Sequence, residues 1–164
     1  MRPTVLLEGF FLLLAVASVR DADELALPMG AGKTSPVSSV DVACAVAAIL
    51  DNPVPHIGHI YDLTGPESAD LDHYARAFSE VLGRTIRYRD APTSEWSDKL
   101  RAAGLSEHVV HHLTVMTELH KQGRYDRMSE DYLKLTGETP TSMADFVKLH
   151  DAEFTRPSRF GGGP

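Results

Sequence analysis

The feature that most constrains this chain is an apolar segment near its start. Residues 5–19 contain one charged side chain, Glu8, and are otherwise almost entirely apolar. A segment that is apolar on nearly every face is typical of a helix buried on all sides. We therefore expect a helix here, with Phe10 to Val16 buried in a core, and we expect the charges from Arg20 to Glu24 to end it.

The same residues also imitate a secretory signal. Arg2 precedes the apolar run, and the small residues at 15–17 resemble a cleavage site. However, Glu8 and Gly9 interrupt the run, and a carboxylate there disfavours membrane insertion. The uninterrupted stretch over 9–19 is too short to span a bilayer. The buried helix is favoured, and the alternative is a secreted, mostly helical binding module whose N-terminal signal is cleaved.

The rest of the chain alternates short strands with helices. We expect strands at Leu25–Pro28, Ile57–Leu63 and Thr85–Arg89, and mainly helices after residue 93. Ser38, Ser68 and Ser142 precede helical patterns and are predicted N-caps. This order predicts an α/β fold, although its strands are few for a doubly wound sheet. The Pro/Gly-rich tail at 156–164 is expected to be disordered.

Composition excludes several classes of function. The chain has 164 residues, enough for one domain with a core, and a net charge of −7. Nucleic acid and anionic membrane surfaces both require clustered Lys and Arg, which the sequence lacks. The single cysteine, Cys44, cannot form an internal disulfide, and its helical surroundings predict a small buried apolar residue.

A glycine-rich turn, Gly30-Ala31-Gly32-Lys33-Thr34, resembles the end of a phosphate-binding loop. The full motif requires glycine where this chain has Leu27, and a helix directly after the Lys-Thr pair. Pro36 follows too soon for that helix. A turn between a strand and a helix is the favoured interpretation.

Histidines cluster in the second half of the chain. His108, His112 and His120 align along one side of a predicted helix. Two histidines four residues apart can share a metal ion, but the H-E-x-x-H order is absent and no further ligand is in register. We predict no metal site and assign these side chains to a solvated or groove-lining polar face.

No catalytic set is visible in the sequence. It contains no G-x-S-x-G nucleophile elbow and no G-x-G-x-x-G dinucleotide fingerprint. The Tyr-x-x-x-Lys pair of short-chain dehydrogenases is also absent, since Tyr132 and Lys134 have the wrong spacing. Catalytic residues therefore stay unassigned.

Four motifs in order nevertheless resemble one family. The segment 2–9 is similar to R-P-x-x-F-x-E-N, and 30–43 is similar to G-x-G-K followed by V-x-x-x-D-V-A. The segment 61–67 resembles Y-x-L-T-G-P-E, and Leu82-Gly83-Arg84 follows in the same order. Together they resemble the later half of NmrA-like proteins, which are atypical short-chain dehydrogenase relatives with an NAD(P)-binding Rossmann fold. The resemblance covers about residues 1–155, which would form one C-terminal half-domain.

The resemblance implies the C-terminal part of a Rossmann-like fold, with a few late parallel strands and a mostly helical substrate-side lobe. Residues 1–6 and 57–64 would be the strands. Pro3 and Thr4 would lie beside the nicotinamide of NAD(P). Four residues would wall the substrate pocket: Leu6, Leu7, Phe10 and Phe11. The chain departs from the family at Leu6, which replaces an aromatic residue, and at Gly9, which replaces asparagine.

The function implied is that of a cytoplasmic NAD(P)H-dependent reductase of a small carbonyl or quinone-like compound, or of a cofactor-sensing regulator without turnover. The cofactor-binding glycine loop would precede residue 1. We therefore expect this chain alone to bind no NAD(P) and to catalyse no hydride transfer. We also expect an exposed N-terminal helix to drive self-association.

Overall fold

A computed structural model describes residues 1–155; the tail predicted to be disordered lies outside them. Four short strands alternate with helices and are followed by a helical second half, as the α/β prediction requires. The strands are β1 (Arg2–Pro3), β2 (Glu24–Leu27), β3 (Asp62–Leu63) and β4 (Arg87–Asp90). The helices are a π-helix (Glu8–Ala15), α1 (Val16–Ala22), α2 (Ser39–Asp51), a 3₁₀ turn (Val54–His56), α3 (Leu71–Leu82), α4 (Thr93–Ala102), α5 (Glu107–Lys121), α6 (Asp131–Thr136), α7 (Met143–Leu149) and α8 (Asp151–Phe154).

The strands form two parallel pairs. β1 pairs with β3, with Arg2 opposite Asp62, and β2 pairs with β4, with Glu24 opposite Arg87. Parallel neighbours require a crossover connection, and the helices between the strands supply it. Beyond β1, the chain continues to a single bridge between Leu6 and Val37.

The apolar N-terminal segment forms the predicted helix, but its faces differ. Leu7, Phe11, Ala15 and Val19 recur at every fourth residue and are almost completely buried in the main core. This spacing suits the wide turns of the π-helix and the α-helix that continues it. In contrast, Leu13 is 79% exposed. Burial on all sides was therefore a wrong expectation, since the side of the helix that carries Leu13 faces away from the core.

Most predicted helix starts are confirmed. Ser38 Oγ accepts a hydrogen bond from the amide of Val40, and Ser142 Oγ accepts one from Asp145. The cap of α3 is different, because Asp70 and not Ser68 accepts from the amide of His73, at 2.8 Å.

The reason lies in the preceding residue. Ala69 exchanges two backbone hydrogen bonds of 3.0 Å with Thr34, so the chain is extended there. The helix therefore cannot begin before Asp70. Ser68 instead donates to the carboxylate of Asp126, at 2.8 Å.

The strand predicted at Ile57–Leu63 is reduced to β3. The Val54–His56 turn precedes it, and Gly58 takes a φ of 80° that extended strands do not use. Ile57 and Ile60 are exposed. The apolar residues Ile57 and Ile60 were thus a misleading strand signal, because no described partner covers their side chains.

Cys44 is exposed, which corrects the expectation of a buried thiol. α2 contacts the rest of the described chain mainly through α6, and Ala45 packs there against Leu63 and Tyr132. Cys44 lies outside this small cluster, so one neighbouring helix is not enough to bury it.

Candidate functional site

An apolar cavity of about 850 Å³ opens at the carboxyl end of β1. Ligand sites of open parallel α/β sheets lie at the carboxyl ends of strands. On one side the cavity is bounded by the residues after β1 and by the π-helix, and on the other by the end of α4, by α5 and by the turn after α5. The lining consists of Pro3, Thr4, Val5, Leu6, Gly9, Phe10, Leu13, Leu14, Leu100, Ala103, Leu105, Val109, Leu113, Met116, Tyr125 and Arg127.

The strand end is held firmly in place at this cavity. The amide of Thr4 donates to Leu63 O at 2.9 Å, which extends the β1–β3 pairing by one residue. The Thr4 hydroxyl donates to Ser35 O at 2.6 Å. Pro3 and Thr4, which the resemblance places beside nicotinamide, are therefore rigid parts of the cavity wall; their contact with a cofactor stays a prediction.

The four residues predicted to wall the pocket divide into two pairs. Leu6 and Phe10 line the cavity. Leu7 and Phe11 lie in the core behind it, each 1% exposed, and Phe11 contacts the rings of Tyr74, Phe78 and Phe146. Two of the four residues thus lie on the cavity lining and two lie in the core, and their role in binding a substrate stays a prediction.

Three rings pack together at one side of the cavity. Phe10 lies 5.2 Å from His120, and His120 is stacked on Tyr125 with ring centroids 4.1 Å apart and planes 25° apart. Sequence reasoning missed Tyr125 and placed His120 on a polar face. Leu113, Met116 and His120 have the 3,4 spacing of one helix face. This spacing was the signal in the sequence that His120 is buried.

His120 is completely buried, so its assignment to a polar face was wrong. Its Nδ1 lies 2.7 Å from Met116 O, an acceptor, which requires the proton to be on Nδ1. Nε2 has no hydrogen-bond partner in the described chain. Burial lowers the pKa of His120, and the bond to Met116 O offsets this only in part. The imidazole is therefore a neutral ring behind the cavity wall.

The glycine-rich turn supports this wall and does not resemble a phosphate site. A Cβ on Gly32 would lie 2.2 Å from His120 O, so only glycine allows the turn to approach the end of α5. The Gly30 amide donates to Asp90 Oδ1 at 3.0 Å. A backbone amide bound to a carboxylate of the protein is not available to a phosphate, which agrees with the interpretation from sequence.

Glu8, the charge that interrupts the apolar segment, fastens the π-helix to α2. Its carboxylate accepts bonds of 2.8–3.0 Å from the Ser38 and Ser39 hydroxyls and the Ser39 amide. Burial would raise the pKa of Glu8, but these hydrogen bonds and one from its own backbone amide lower it overall. A carboxylate at a helix N-terminus also interacts favourably with the helix dipole.

Residues 1–155 contain no group of three or more His, Cys, Asp and Glu side chains placed to hold a metal ion. His108 and His112 are exposed while His120 is buried, so the three do not share a surface. In the same part of the chain no helix is both long and apolar enough to cross a membrane.

Comparison with known proteins gives consistent results. No family model matches the chain. It is 28% identical over 156 residues to the uncharacterized oxidoreductase YesF of Bacillus subtilis, covering 94% of this chain and 54% of that protein. It is also 28% identical over 152 residues to the NAD(P)H azoreductase of Xenophilus azovorans, covering 89% and 52%. The chain thus spans about half the length of the curated relatives it matches.

Solved structures agree with these relatives. A nucleoside-diphosphate-sugar epimerase from Staphylococcus aureus superposes with a TM-score of 0.78 at 23% identity, over 90% of this chain and 50% of that one. An NADPH-dependent quinone oxidoreductase from Escherichia coli gives 0.79 at 20% identity, over 90% and 53%. The fold matches the C-terminal part of a Rossmann-like fold. The similarities support a part of an oxidoreductase and give no support to the secreted binding module.

Proposed function

We propose that this chain is the substrate-side half of an NmrA-like, NAD(P)H-dependent reductase, and that its apolar cavity binds a small carbonyl or quinone-like compound. The observation that carries the proposal is the apolar cavity at the carboxyl end of β1, which the π-helix bounds on one side and α4 and α5 on the other. The relatives support the reaction class, since one is an NAD(P)H azoreductase and a structural neighbour is a quinone oxidoreductase.

The residues present fit the cofactor only in part. Pro3 and Thr4 border the cavity, but the sequence has no glycine fingerprint, and Gly30 is bound to Asp90. Contacts at the nicotinamide end offer about 1–2 kcal/mol, whereas millimolar binding requires about 4 kcal/mol. The dinucleotide supplies the hydride in such reductases. In our proposal this chain binds and orients the substrate, and alone it binds no NAD(P).

Tyr125 is our proposed proton donor to a substrate oxygen that becomes negative. Among the hydroxyl groups of the described cavity lining, the Thr4 proton is already donated to Ser35 O. The Tyr125 ring is held against His120 at one side of the cavity. A positioned phenol can serve as a general acid.

Binding of duroquinone tests the proposed cavity. This quinone is chosen because its fully methylated ring offers no free position to the exposed thiol of Cys44. We expect calorimetry to detect binding that is weakened by Ala103→Phe, since Ala103 lies on the cavity lining and a larger side chain would fill it. Leu149→Ala, on the exposed surface of α7, is the control and should bind as the parent does. No binding by the parent, or equal binding by Ala103→Phe, would contradict the proposal.

A further inference from the structure

We propose that the ligand of the apolar cavity carries an anionic group on its flat apolar body, and that the Arg127 guanidinium binds this group. The inference rests on the proposed function, because it takes the cavity as the substrate site. It adds the chemical class of the substrate. Within residues 1–155, Arg127 is the one charged residue on the cavity lining.

The charge of Arg127 is not neutralised within the described chain. Several other arginines are paired with carboxylates, among them Arg2 with Asp62, Arg89 with Glu24 and Glu95, and Arg101 with Asp98 and Glu107. No ion pair among residues 1–155 involves Arg127. Arg76, Arg87 and Arg124 also have no ion pair among residues 1–155, but of these four arginines Arg127 alone lies on the cavity lining, where a bound ligand would supply the anion.

The backbone at Arg127 is fixed relative to the cavity floor. Ser35 Oγ donates to Arg127 O at 2.6 Å, and the Arg127 amide donates to Tyr125 O at 3.0 Å. Ser35 is buried, and its carbonyl accepts the bond from Thr4. Thr4, Ser35 and Arg127 are thus one hydrogen-bonded connection from the end of β1 to the cavity rim. The backbone from which the Arg127 side chain extends is therefore held at the cavity.

The chemistry of the surroundings selects an anion. A planar guanidinium binds carboxylate or sulfonate oxygens through two parallel hydrogen bonds. The neighbouring lining is almost entirely apolar, and electrostatic attraction is stronger beside such surfaces than in bulk water. A ligand with an apolar ring system and one acidic group therefore complements both parts of the site.

Two fluorescent probes that share one aromatic skeleton test this directly. Anilinonaphthalene sulfonate carries an anionic group, and N-phenylnaphthylamine lacks it. We expect both to bind the chain and Ala103→Phe to weaken both. Arg127→Gln should weaken the sulfonate about five-fold, the upper range for a partly exposed ion pair, and leave the neutral probe unchanged. Arg124→Gln is the matched control, because Arg124 is exposed and does not line the cavity.

The possible outcomes separate the two levels of the proposal. Equal sulfonate binding by the Arg127 and Arg124 variants would overturn the role of Arg127 while leaving the cavity in place. Sulfonate displacement by NADP⁺ in the parent but not in Arg127→Gln would also overturn it, since the anion would then be the phosphate of the cofactor. Failure of the neutral probe to bind, or binding unchanged by Ala103→Phe, would reject the cavity itself and thus the proposed function.

Discussion

Phe10 and Phe11 are adjacent aromatic residues of one helix, yet they belong to different regions of the molecule. Phe11 is surrounded by rings of the core, whereas Phe10 contacts His120 and faces the cavity. Both are buried in the described chain. Burial alone therefore does not distinguish a residue that stabilises the fold from one that shapes a site. The two are distinguished by whether the ring contacts only core residues or also borders the cavity.

The largest expected effect is the loss of the core ring. Phe11→Ala should destabilise the protein by about 3–5 kcal/mol, because it leaves a cavity among Tyr74, Phe78 and Phe146. Phe10→Ala should cost less, about 1–2 kcal/mol, because one side of its ring already borders open space. Urea unfolding followed by circular dichroism measures both. Equal losses would show that the two faces do not differ energetically.

Gly32 tests the support of the cavity wall. Gly32→Ala should cost about 2–3 kcal/mol, because its Cβ would lie 2.2 Å from the backbone oxygen of His120 and neither chain can yield easily. Gly9→Ala is the contrasting variant, since no atom lies within 4 Å of its Cβ position and the helix gains about 0.5–1 kcal/mol. Thermal unfolding compares them. An unchanged stability of Gly32→Ala would mean that the turn is not in close contact with the end of α5.

Sequence alone predicted the fold class and two of the three helix starts, because apolar spacing and caps act locally. The assignment of the helix that holds Phe10 and Phe11 to a substrate pocket came from the family resemblance and stays a prediction. What failed depended on contacts between distant segments. Ala69 pairs with Thr34 and delays α3, and Gly32 covers the end of α5 and helps bury His120. The role of Arg127 was likewise hidden, since only the fold brings it beside β1.

The pH dependence of stability should report on His120. Its pKa is lowered in the fold, so the unfolded chain binds more protons below about pH 6.5. The contribution of the neutral His120 ring to the free energy of unfolding is fully present above that pH. It is lost as the pH falls toward the lower pKa of His120 in the folded protein, by at most about 1.4 kcal/mol per pH unit. His120→Phe should flatten this slope below about pH 6.5, and His112→Gln, on the exposed face of α5, is the matched control. The measurement is urea unfolding at each pH, and an unchanged slope in His120→Phe would contradict neutral burial.

The smallest effect on stability is expected at Leu13, on the outer side of the same π-helix. Because its side chain is 79% exposed, Leu13→Gln should change the free energy of unfolding by less than about 0.5 kcal/mol. The same change should reduce self-association, since Leu13 is the strongly exposed apolar residue of the N-terminal helix that we expect to drive it. Size-exclusion chromatography over a range of concentrations measures this, with Val54→Gln, exposed outside that helix, as the matched control. A monomeric parent, or equal association by the two variants, would show that the helix forms no contact between copies. A large decrease in the free energy of unfolding would mean that Leu13 belongs to the core face.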